Sequence, residues 1–139
     1  MNINIIRNDI KPADRIVVPK SNFKMVQHHA IYLGQNNQGV DLIIENKIGF
    51  GVRLITADDF FSETNEITRI ERFSGSNYDR QLAVERALYE IGKPYNLINY
   101  NCESFSNHVQ NNKPESKQVW TGFFVGIVAL IVGVSFFKK

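Results

Sequence analysis

Cysteine is almost missing from this chain of 139 residues. Cys102 is the only one, so no internal disulfide forms and nothing points to an oxidising compartment. Basic clusters are missing too. Two of the 16 Lys and Arg residues are Lys138 and Lys139, so residues 1–137 balance the 14 acidic residues. Without a basic stripe or an arginine-rich helix, a nucleic-acid surface is not expected. The three histidines and single cysteine lack close ligand spacing, so neither a metal nor a cofactor is implied. The N-terminus has no cationic stretch leading into a long apolar one, and no signal peptide is expected. Repeats and low-complexity tracts are also absent.

One long apolar run is present. Residues 119–137 carry no charge, and only Thr121 and Ser135 are polar. As a helix the run would span ~28 Å, close to a bilayer's hydrocarbon thickness. Trp120 suits one interface, and Lys138 and Lys139 suit the water beyond the other. The expectation is a single-pass C-terminal transmembrane helix, a bilayer anchor. Gly122 and Gly126 form a GxxxG pair through which two such helices would make a homodimer. With no signal peptide, the preceding domain is expected on the cytoplasmic side. Lysines flank the run on both sides (Lys113 and Lys117, Lys138 and Lys139), so charge alone does not assign orientation. The remaining chain suits one domain, residues 1–112, and a linker, residues 113–118.

Within that domain the pattern alternates short β-prone segments with turn residues. Strands are expected at Asp14–Val18, His29–Leu33, Asp41–Glu45, Val52–Ile55 and Glu66–Phe73. Gly34, the Gln35–Gly39 stretch and Gly49–Gly51 punctuate them, as in an antiparallel meander. Thr56 with Asp59 resembles a capping signal for a short helix over Thr56–Ser62. A longer helix is expected from Asn77 to Ile91, with Leu82, Leu88 and Ile91 at helical spacing and Gly92 and Pro94 stopping it. The next helix spans Asn101–Gln110, with Phe105 and Val109 on one side.

Cys102 falls in the first turn of that last helix, just after the N-cap candidate Asn101. The positive end of the helix dipole favours a thiolate there, and free N–H groups would hold an oxyanion. A lone cysteine is otherwise most simply a small buried hydrophobe. His28 makes chemistry the stronger reading. At the entrance of an apolar strand, its imidazole is the usual partner of a thiol nucleophile. His29 points to the opposite strand face, so only one of the pair can meet Cys102. His108, six residues beyond Cys102, is expected at the surface.

Gln27-His28-His29-Ala30-Ile31-Tyr32-Leu33-Gly34, followed by Asn101-Cys102-Glu103-Ser104-Phe105, resembles the two boxes of the lecithin retinol acyltransferase-like family, with its H-box/NC-box phospholipase A/acyltransferases. Asp14-Arg15-Ile16 resembles that family's early strand. The likeness covers about residues 10–112. It implies an α+β fold, a circularly permuted NlpC/P60 papain-like domain in which an antiparallel sheet packs with helices and His precedes Cys. It also implies Cys102 as nucleophile, His28 as base, and a third polar residue on the next strand that orients the imidazole. Glu45 matches that position best by register, with Asn46 as runner-up. There is no second histidine at that position, and Ser104 stands where many relatives have one in the second box. The function implied is a membrane-anchored thiol acyltransferase or phospholipase A that takes acyl esters of membrane phospholipid through an acyl-cysteine. The alternatives are an NlpC/P60-like thiol peptidase or amidase, and a non-catalytic membrane-tethered interaction module.

Overall fold

The computed structural model describes residues 9–20, 26–64, 66–119 and 121. Five strands form one antiparallel sheet: β1 (Arg15–Pro19), β2 (Gln27–Gln35), β3 (Asp41–Lys47), β4 (Gly51–Thr56) and β5 (Arg69–Glu71). Their order is β4-β3-β2-β1-β5, which leaves β2 in the centre. Three helices join them: α1 (Ala57–Ser62), α2 (Asn77–Tyr89) and α3 (Cys102–Asn111).

The period-two rule sorts the core into two layers. Ile16, Val18, Ala30, Tyr32 and Ile43 project to one face, where they meet Ala57 and Phe60 of α1. Ile31, Ile44 and Val52 project to the other and meet Ala83, Ala87, Phe105 and Val109 of α2 and α3. Phe105 and Val109, four residues apart, are fully buried. Each contributes about 1.5–3 kcal/mol of hydrophobic stabilisation.

Helix starts follow the capping chemistry. The Thr56 side chain accepts from the Asp59 N–H. Ser76 and Asp79 cap α2 reciprocally, and Asn101 and Ser104 cap α3. Three expectations need correction. The buried stripe of α2 is Ala83 and Ala87, whereas Leu88 and Ile91 are exposed. Small residues allow α2 to lie close against α3, and the larger side chains are left outside. The strand expected over Glu66–Phe73 is ladder-bonded only at Arg69–Glu71, against β1. Gly34 does not end β2: it adopts φ +97° at a bulge opposite β3, and the strand runs on to Gln35.

Gly51 has φ +71°, and a Cβ there would lie 2.5 Å from the Lys93 carbonyl oxygen. Glycine therefore admits the Gly92–Tyr95 loop against β4. The Val52 N–H donates to Lys93 O and the Gly92 N–H to Val52 O, both at 2.9 Å. No helix among the described residues is long and apolar enough to cross a membrane. The expected membrane span lies almost wholly outside the described residues, together with Trp120, Gly122, Gly126, Lys138 and Lys139. Residues 117–119, at the end of the linker, are helical.

Candidate active site

His28 sits near the start of β2, beside Val18 of β1. Its side chain shares the α1 face and stacks near Phe60, with ring centroids 6.0 Å apart. Glu45 of β3 projects to the same face, and its Oε2 lies 2.6 Å from His28 Nε2. The other carboxylate oxygen accepts from Arg53 Nε and Nη2 at 2.9 and 2.8 Å. Arg53 is directly across the ladder from Glu45. The order Arg53–Glu45–His28 thus fixes the ring through Nε2.

Cys102 is the first residue of α3 and is buried. Its Sγ lies 3.9 Å from the Gln27 carbonyl oxygen, so the nucleophile helix meets the start of β2, next to His28. Burial pushes the thiol pKa up, but the hydrogen bond and positive charge of His28 outweigh it. The His29 N–H and the charge of Lys20 add to them, and the net shift is down. Burial likewise disfavours the His28 imidazolium. Hydrogen bonds to Cys102 and Glu45, with their negative charges, prevail and raise its pKa to about 9. The Glu45 carboxylate is lowered: burial opposes its charge, but His28 and Arg53 overcome it. The arrangement favours a thiolate–imidazolium pair near neutral pH.

Asn46 is elsewhere. It points to the opposite face of β3, fully buried, and its Nδ2 donates to the Tyr100 carbonyl at 2.7 Å. Register decides between the neighbours: Glu45 pairs with Arg53, and Asn46 with Val52 in the other layer. Asn46 holds the chain two residues before Cys102 instead of touching the imidazole. The expectation of several free N–H groups at the α3 start also needs correction. Asn101 Oδ1 accepts from both Glu103 and Ser104 at 3.0 Å. The Cys102 N–H is the helix-end donor that this cap does not take. Ser104, the departure from the second box, closes the cap by donating to Asn101 Oδ1.

His29 does turn away. It is buried against the α3 side, and its pKa is lowered to about 4 by burial first and the nearby Arg15 charge second. His108 is partly buried, with Nε2 3.5 Å from a Glu90 oxygen.

A groove of about 550 Å³ opens beside the thiol, lined by Cys102, Tyr95, Leu97, Ile98, Gln118 and Lys20 among others. A smaller cavity of about 130 Å³ reaches His28 and Glu45, and Tyr95 and Lys20 line both. Sequence reasoning missed Tyr95, Lys20 and Gln118. Tyr95 follows a helix stop and looks like loop, and Gln118 looks like linker. Gln118 nevertheless pairs with the Gln27 backbone: Gln27 N–H donates to Oε1 at 3.1 Å, and Nε2 donates to Gln27 O at 3.3 Å. That carbonyl is the one 3.9 Å from Sγ.

A strand-borne histidine that precedes a helix-borne cysteine, on an antiparallel sheet with helices on both faces, defines a permuted papain-like thiol domain. Residues 5–111 match the family model described as permuted papain-like amidase enzyme, YaeF/YiiX, C92 family, and the chain belongs to that family. No curated protein matches the chain at significance. The match agrees with the permuted papain-like fold that the two boxes imply. It is a match to an amidase family, not to the acyltransferase family those boxes resemble.

Proposed function

We propose that this protein is a cysteine-dependent amidase. The observation that carries the reading is the His28 imidazole held by Glu45 at 2.6 Å on the strand end that Cys102 meets, where Sγ lies 3.9 Å from the Gln27 carbonyl oxygen, within a chain of an amidase family. The Cys102 thiolate attacks the carbonyl carbon of an amide. The developing oxyanion is met by the Cys102 N–H at the α3 start. The tetrahedral intermediate collapses as His28 Nδ1–H gives its proton to the departing amine, leaving an acyl-cysteine. His28 then takes a proton from water, hydroxide attacks the thioester, and the carboxylic acid leaves. Glu45 keeps Nδ1 aimed at sulfur and stabilises the imidazolium; Arg53 holds Glu45.

A second reading has support from two features. The groove beside Cys102 is mostly apolar in its walls, and the uncharged run 119–137 follows it directly. This favours a substrate with an acyl chain, held at a membrane by a C-terminal anchor, and the same acyl-cysteine would then arise from a phospholipid ester. A homodimer through Gly122 and Gly126 belongs to that anchored form.

The test is intact-mass spectrometry of the full chain incubated separately with N-acyl amides, short peptide amides and phosphatidylcholine. The amidase reading expects an acyl adduct on Cys102 and free amine, both lost in Cys102→Ala. Lysolipid release outpacing amide cleavage would transfer the assignment to the lipid ester reading. No adduct and no turnover with any donor would leave the domain as a binding module.

A further inference from the structure

The groove over Cys102 has an unusual rim. Val26, Leu97 and Ile98 stand 47%, 66% and 69% exposed around one opening. Ile48, 58% exposed, continues the apolar edge past Tyr95 along the smaller cavity. Leu97 and Ile98 are neither stray nor poorly held. Asn96 Oδ1 accepts from the Ile98 and Asn99 N–H groups at 3.1 and 2.8 Å. The Asn96 and Tyr100 backbones exchange hydrogen bonds at 3.0 and 2.9 Å across the loop's base. The fold thus builds a tight loop whose tip displays two aliphatic side chains to solvent.

Charge on this rim has one sign. Among the described residues, no acidic side chain lines the groove, whereas the exposed Lys20 and Lys117 do. Val119 and Thr121 complete the lining, and the uncharged run of residues 122–137 follows them in the sequence. Aliphatic tips flanked by lysines fit the boundary between acyl chains and anionic headgroups. A protein partner seated there would close off the nucleophile. A bilayer would instead present its own contents to it.

We propose that the mouth of the Cys102 groove is a lipid-docking surface. Val26, Leu97 and Ile98 enter the interfacial region of a bilayer, and Lys20 and Lys117 face anionic headgroups. Docking of the rim turns the thiol toward the bilayer surface. This inference rests on the proposed thiol chemistry only in treating the groove as the substrate's entrance.

The test uses the full chain in a Cys102→Ser background, so turnover plays no part. A single new cysteine at Ile98, Val26 or Gln38 carries an environment-sensitive nitrobenzoxadiazole probe. Gln38 is exposed in the turn after β2, at the end opposite Gln27. Proteins are placed in phosphatidylcholine/phosphatidylglycerol vesicles with and without brominated acyl chains. The expected result is a blue shift and loss of emission with brominated lipid at Ile98→Cys and Val26→Cys, and neither at Gln38→Cys. Probes at Ile98 and Val26 that ignore brominated lipid would overturn the proposal. So would a blue shift without quenching, because a protein segment would then cover the mouth. Failure of amide or ester cleavage leaves this readout unchanged, so the two proposals fail separately.

Discussion

His28 and His29 are covalent neighbours on one strand, yet they behave as opposites. One faces Glu45 and Cys102 and has its pKa raised to about 9. The other is buried beneath α3 with Arg15 beside it, and its pKa falls to about 4. Burial disfavours the charged form in both. The difference is that His28 has anionic partners to offset burial, whereas around His29 the charges of Arg15 and Arg69 oppose those of Glu103 and Glu71 and burial prevails. A strand's alternation is thus enough to set two neighbouring histidines apart.

Removing His28 should have the largest effect. His28→Ala is expected to lower acyl transfer by about 10²–10⁴-fold, the usual worth of a positioned acid–base group. It should also move the alkylation of Cys102 by iodoacetamide to higher pH, toward an ordinary thiol. Because Cys102 is the only cysteine, that titration reports one site. His29→Leu should leave the alkylation profile in place; a shift comparable to that of His28→Ala would erase the distinction.

The two histidines also pull stability in opposite directions with pH. His29 is neutral when folded, so below about pH 6.5 the unfolded chain binds a proton that the folded chain refuses down to about 4. Stability should fall over that window by at most about 3 kcal/mol, and His29→Leu should flatten the fall in chemical denaturation. His28 has the reverse sign. Its contribution is complete below about pH 6.5 and fades as pH rises through about 9.

A smaller effect separates Glu45 from its neighbour. Glu45→Gln keeps the hydrogen-bonding shape and removes the charge that raises the His28 pKa. The basic limb of the rate–pH profile should therefore move below about 9, with about tenfold less activity. The smallest effect is expected at Asn46. Asn46→Ala loses the bond to Tyr100 and should cost about 1–3 kcal/mol in denaturation, leaving the position of that limb unchanged. A displaced limb would place Asn46 within the proton pathway after all.

How much of this was legible in the chain varies with the range of the interaction. The permuted papain-like order was readable from the two boxes, and the α3 face from Phe105 and Val109. Caps at Thr56 and Asn101 were readable because their chemistry is complete within three residues. Register ranked Glu45 ahead of Asn46, but the partner that holds the Glu45 carboxylate, Arg53, comes from pairing with β4 across the sheet. Local pattern could not reveal that α2 buries Ala83 and Ala87, since close helix approach rewards small side chains that hydropathy ranks low. Tyr95, Lys20 and Gln118 reach the groove only through tertiary folding.

The residue after the nucleophile carries a separate consequence. Glu103 Oε2 accepts from Ser116 Oγ at 2.6 Å and from the Gln118 N–H at 2.9 Å. The chain leaving α3 is therefore clamped back beside the thiol before it runs on, and residues 113–118 act as a bracket of fixed length, not a slack tether. Inserting or deleting one residue there would rotate a continuing helix by about 100° relative to the groove. Anyone grafting a tag or a fusion partner after residue 119 should therefore preserve Ser116 through Gln118, because those residues hold the chain against Glu103 beside the thiol.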